Sequence, residues 1–113
     1  MSSPVFVSVG RRFKREQHIF VNRVIGELHA CGLVPRLVPR SKWDPEMPLR
    51  PIQATMRRCH GVIVLAFPRL LYQVGYEWPD STRQTPILDR FLPTPWLQIE
   101  AALGFQLGLP VLI

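Results

Sequence analysis

Cysteine is scarce in this sequence, with Cys31 and Cys59 the two it has. Two are too few for the disulfide framework of a small secreted domain. His29-Ala30-Cys31 and Cys59-His60 do not match zinc-ligand spacings. No metal is therefore expected, and both cysteines read as small buried residues near helix ends. No apolar run reaches about 18 residues, so no transmembrane helix and no membrane partner are expected. The start, M-S-S-P-V-F-V-S-V-G, has neither the basic opening nor the apolar length of a signal peptide. A cytoplasmic location is the resulting expectation. There is no G-x-G-x-x-G, no Walker loop, no C-x-x-C and no serine-elbow motif.

Acidic residues are also few: eight Asp and Glu stand against fourteen Lys and Arg, for a formal net charge of +6. That balance favours anionic partners. A solvated basic surface would give the same count. No recognition-helix signature or interleaving of aromatics accompanies the charge, so nucleic acid is not expected as a partner.

What is present is apolar and alternates in type. The chain has 113 residues, 47% of them hydrophobic, enough for one small globular domain. Pro4 to Val9 is rich in β-branched residues and reads as a central strand. A basic loop follows, Gly10-Arg11-Arg12-Phe13-Lys14-Arg15. From about Arg15 to Ala30, Phe20, Val21, Val24, Ile25 and Leu28 recur at helical spacing, and Gly32 suits the cap. Leu33 to Val38 is a second strand, in which Pro35 argues for an edge position or an early irregularity. Pro39 to Pro51 is a proline-rich loop containing Trp43. A short helix from near Leu49 would turn Ile52 and Met56 inward. Gly61 to Phe67 is apolar throughout and reads as a buried strand. In Pro68 to Pro93, a short helix around Leu70, Leu71, Tyr72 and Val74 and another helical turn over Ile87 to Leu92 are expected within an irregular, partly mobile insert.

The closing stretch runs from Thr94 to Ile113. Thr94 can cap a helix and Pro95 suits its first position. Gly108 suits a left-handed exit, and Val111-Leu112-Ile113 a buried strand. Glu100 is the single charged residue from Phe91 to the end. A carboxylate on an apolar helix is costly to bury without a partner or a job. An internal ion pair with Arg12 or Arg69 would supply the first, and a functional site the second. Trp96 lies on the same helical face, four residues earlier.

Strands alternating with helices imply an open, flavodoxin-like three-layer α/β sandwich around a parallel sheet of four or more strands. Ligands bind such sheets beyond the carboxyl ends of the strands. That edge would carry Gly10 to Phe13, Pro39 to Asp44, Phe67 to Arg69 and the start of the helix bearing Trp96 and Glu100. Two guanidinium groups beside a helix start, Arg11 and Arg12, suit a pyrophosphate, or form an ordinary basic loop.

Trp96-Leu97-Gln98-Ile99-Glu100, then Ala102-Leu103, Gly108 and Pro110-Val111-Leu112-Ile113, resembles the third helix and fourth strand of TIR-domain NAD⁺ hydrolases of the bacterial defence type. Val5-Phe6-Val7-Ser8 with Arg11-Arg12 resembles the family's first strand and basic pair. Gly32-Leu33 resembles the opening of its second strand. Ile52-Gln53 through Met56, then Cys59-His60-Gly61-Val62-Ile63-Val64-Leu65, resembles its second helix and third strand. The likeness covers nearly the whole chain. The sequence departs from the family at Ala66, where a serine is usual, and in the long proline-bearing segment from Tyr72 to Pro93.

The resemblance implies a single TIR-like domain over residues 1–113, truncated at its C-terminal end, with further domains or a partner protein beyond Ile113. It implies an NAD⁺ glycohydrolase or cyclase that cleaves the nicotinamide–ribose bond on self-assembly, in prokaryotic immunity. Glu100 would be the catalytic glutamate. Arg11, Arg12, Trp43, Phe67 and Trp96 would bind NAD⁺ as substrate, with no separate cofactor. The Pro39–Pro51 loop would mediate self-association. Two alternatives stay open: a nucleoside 2-deoxyribosyltransferase-like enzyme using Glu100 as a nucleophile, and a non-catalytic TIR-like nucleotide sensor or adaptor.

Overall fold

A computed structural model describes residues 3–38 and 49–113. Trp43 and most of the Pro39–Pro51 loop lie outside the described residues. The elements are β1 (Ser3–Val9), α1 (Arg15–Ala30), β2 (Leu33–Arg36), α2 (Leu49–Met56), β3 (Val62–Leu65), β4 (Leu70–Glu77), β5 (Thr85–Leu92), α3 (Pro95–Gln106) and β6 (Val111–Leu112).

Four strands form a sheet in the order β2-β1-β3-β6, and every pairing in it is parallel. With its flanking helices this is a flavodoxin-like α/β sandwich. The chain goes from β1 to β2 on one side, then crosses to β3 on the other. Right-handed crossovers therefore put α1 on one face and α2 with α3 on the opposite face. β2 is an edge strand, which accommodates the missing N–H of Pro35.

The strand residues sort by alternation. Phe6, Val62 and Val64 are buried against Ile52, Met56, Cys59 and Leu97 in one core cluster. Val5 and Val7 point the other way and are buried with Val21 and Leu28 of α1. The start of α1 is tied down by Gln17, whose Oε1 accepts from the backbone N–H groups of Phe13 (3.0 Å) and Lys14 (3.3 Å). This is why a polar Gln17 can be buried at low cost. Gly32 and Gly108 close α1 and α3 with φ of +76° and +74°.

Helix α3 packs closely on β3 because residue 104 has no side chain. A Cβ there would meet Val62 Cγ2 at 2.7 Å. Thr94 Oγ1 accepts from the Trp96 N–H at 3.1 Å, the cap that starts α3.

The segment between β3 and α3 corrects the sequence reading. Leu70, Leu71, Tyr72 and Val74 are not helical, and neither is Ile87 to Leu92. They form a regular antiparallel hairpin, with Leu70 opposite Leu92 and Glu77 opposite Thr85. Tyr72, Val74 and Tyr76 at alternate positions favour a strand. The turn uses positive φ at Trp78 and Asp80 and is tied by Asp80 N–H to Gln84 Oε1 at 2.8 Å. Among the described residues, no helix is long and apolar enough to cross a membrane.

Candidate active site

The carboxyl ends of β1 and β3 lie at the switch point of the sheet, where a cleft forms in folds of this order. A cleft of about 1160 Å³ opens there. Val9, Gly10, Arg11 and Arg12 line it from the end of β1, and Arg69 and Leu70 from the root of the hairpin. Thr94, Pro95, Trp96 and Glu100 line it from α3, and Leu37 and Val38 from beyond β2. A smaller hollow of about 450 Å³ shares Arg11, Arg12 and Arg69 and adds Phe13.

Each position has a local cause. Thr94 Cγ2 would lie 3.1 Å from a Cβ at residue 10, so Gly10 lets the cap of α3 approach the end of β1. Trp96 and Glu100, four residues apart on α3, both reach the cleft. The basic pair stays beside them because Gln17 anchors the backbone at Phe13 and Lys14.

Glu100 is half-buried. Burial pushes its carboxyl above the ordinary glutamate value, and the Ser8 hydroxyl pulls it the other way. No arginine is among the causes. That weighs against an ion pair with Arg12 or Arg69. Ser8 is 1% exposed, and its Oγ makes no hydrogen bond of normal geometry. A buried hydroxyl in this state can turn its proton toward a neighbouring carboxylate. Ser8 carries no role in the sequence motif it belongs to. From Val5 to Val9 it is the one hydroxyl among valines and a phenylalanine.

The structure brings Arg11, Arg12, Trp96 and Glu100 to one cleft. Phe67 is not on its lining. Its ring packs edge-on against Phe20 of α1, with centroids 6.0 Å apart. Phe67, expected to bind substrate, has its ring turned toward α1 by that contact. Arg69 and His18 join the lining instead. Arg69 was considered as an ion-pair partner, whereas nothing in the sequence pattern singled out His18.

The cysteines differ from each other. Cys59 is buried, donates weakly to the Thr55 carbonyl (3.4 Å), and has its thiol pushed up by burial. Cys31, expected to be buried, is exposed at the C-cap of α1. Among the described residues no group of three His, Cys, Asp or Glu side chains comes together as a metal site.

Fold and site define an open parallel α/β sandwich with a partly desolvated carboxylate and three arginines beyond the carboxyl ends of its strands. No protein-family model matches the chain, and no curated protein matches it significantly.

Proposed function

We propose that this chain is a TIR-type NAD⁺ glycohydrolase or cyclase in which Glu100 is the catalytic carboxylate. The observation that carries the reading is the company Glu100 keeps. A partly desolvated carboxylate shares a cleft of about 1160 Å³ with Arg11, Arg12, Arg69 and Trp96. A cleft of that size has room for a dinucleotide.

The chemistry suits each group. Nicotinamide leaves with the electron pair of the C–N bond, and positive charge develops on the ribose. An ionised Glu100 stabilises that oxocarbenium-like state, more strongly for being partly out of water. Water then adds to C1′ and loses a proton, giving ADP-ribose; attack by the adenine ring instead gives the cyclic product. Arg11, Arg12 and Arg69 hold the pyrophosphate through charge-assisted hydrogen bonds. Trp96 offers a face for ring stacking. Self-assembly, a cytoplasmic setting and a role in prokaryotic defence complete the reading.

The test is to incubate the protein, with any further domains it carries, with NAD⁺ and to assay free nicotinamide. Nicotinamide release that tracks protein concentration is the expected result. Base exchange between deoxynucleosides with NAD⁺ left intact would point to the deoxyribosyltransferase alternative.

A further inference from the structure

We propose that the β4–β5 hairpin is a self-association surface, whose apolar face packs against the same face of a second copy of this chain. This goes beyond the proposed activity and does not rest on it.

The hairpin stands apart from the sandwich. Its two strands pair with each other along eight residues and, among the described residues, pack extensively against no other element. The Cα radius of gyration is 16.6 Å. A compact domain of this length would have about 13 Å. A two-stranded hairpin alone in water is marginal and needs a third strand or a packed face.

One face is made for packing. Alternation and register put Leu70, Tyr72, Val74 and Tyr76 on the same side as their partners Leu92, Arg90, Leu88 and Pro86. Seven of these eight are apolar or aromatic, yet Val74 is 67% exposed and Leu88 59%. At about 150–250 Å² for a large apolar side chain, half-exposed residues of this number present on the order of 600 Å². A stable interface takes about 800 Å² from each partner. The face and its Trp78 flank, itself 59% exposed, come close to that area.

Charge selects the occupant. Segment 70–92 carries Glu77, Asp80 and Asp89 against Arg83 and Arg90, so the basic excess of the chain lies elsewhere. On the apolar face itself the one charge is Arg90, opposite Tyr72, while Glu77 and Asp89 fall on the other face. The acidic residues flanking Trp78 oppose docking on an anionic membrane. A single face that is apolar across both strands is self-complementary, as a two-fold interface requires. The face begins at Leu70, which also lines the cleft, so the second copy would sit beside the cleft mouth.

The test is sedimentation velocity on the full chain over a concentration series. Wild type is compared with the double variant Val74→Lys, Leu88→Lys and with Phe105→Lys on α3, an apolar site away from the hairpin that is 80% exposed. We expect a concentration-dependent dimer in wild type and in Phe105→Lys, weakened by about 100-fold or more in the double variant because two cations would face two others across an apolar interface. Mixing that variant with Val74→Glu, Leu88→Glu should restore association, which a misfolded hairpin could not do. A wild-type monomer at every concentration would overturn the proposal. So would a dimer that persists in the double variant or is lost in Phe105→Lys. Flotation of monomeric wild type with phosphatidylserine vesicles would overturn it in favour of a membrane.

Discussion

The Ser8 hydroxyl on β1 works against the burial of the Glu100 carboxyl on α3. Residues 92 positions apart thus meet because Phe6 and Ser8 share the face of β1 that α3 covers. Burial alone would favour the neutral acid. A buried hydroxyl with a proton to donate favours the anion instead. Burial and the Ser8 hydroxyl thus act on the Glu100 carboxyl in opposite directions, burial the more strongly.

Ser8→Ala should therefore move Glu100 further up. In a pH–rate profile of nicotinamide release, the acid limb reports ionisation of the essential carboxylate. The limb should shift to higher pH in Ser8→Ala, with the plateau less affected. An unmoved limb would mean that Ser8 does not touch the Glu100 equilibrium.

Glu100 also ties stability to pH. Its folded value is raised above the unfolded one. The contribution is fully present below the ordinary glutamate value of about 4.3 and is lost as pH rises through the raised value. Glu100→Gln removes that loss. Its melting temperature relative to wild type should be higher at neutral pH than at about pH 4. Parallel curves at both pH values would contradict the desolvated carboxylate.

The arginines should act on binding. Hydrogen bonds to a charged group contribute about 1.5–3 kcal/mol, so Arg12→Ala or Arg69→Ala should raise KM for NAD⁺ roughly 10-fold or more. Their kcat should change little, because on the proposed reading they would hold the pyrophosphate alike in ground and transition states. Steady-state kinetics of each variant checks this. An unchanged KM would remove that arginine from the site.

Gly104→Ala tests the packing that places α3. Alanine favours a helix by up to about 1 kcal/mol over glycine. Here its Cβ would lie 2.7 Å from Val62 Cγ2 and 3.3 Å from Val111 Cγ2, side chains stiff at χ1. Overpacking of this kind costs about 1–3 kcal/mol, so the clash should win and thermal melting should come lower. A variant that melts higher would show that α3 can shift outward freely.

Much of the fold was legible in the sequence for physical reasons. β-branched runs marked β1 and β3, helical spacing marked α1 over Arg15–Ala30, and Thr94-Pro95 and Gly108 bracketed α3. Pro35 favoured an edge position for β2, which it occupies. The hairpin was misread because both its faces carry apolar residues and no core fixes their period. Leu70, Leu71 and Tyr72 in a row read equally as helix. At the site, the four-residue spacing put Trp96 and Glu100 together, and loop position gave Arg11 and Arg12. Ser8, His18 and Arg69 depend on how distant elements meet, which local pattern does not encode. Phe67 lies at a strand end, and its contact with Phe20 likewise depends on how β3 and α1 meet.

The central claim is that Glu100 carries the chemistry. The most direct measurement is nicotinamide release from NAD⁺ by wild type and by Glu100→Gln, which keeps the side chain's size and loses its charge. Release should fall by about 100-fold or more, as for loss of one preorganised electrostatic group, while the fold, followed by circular dichroism, is retained. Release that survives Glu100→Gln undiminished would contradict the account.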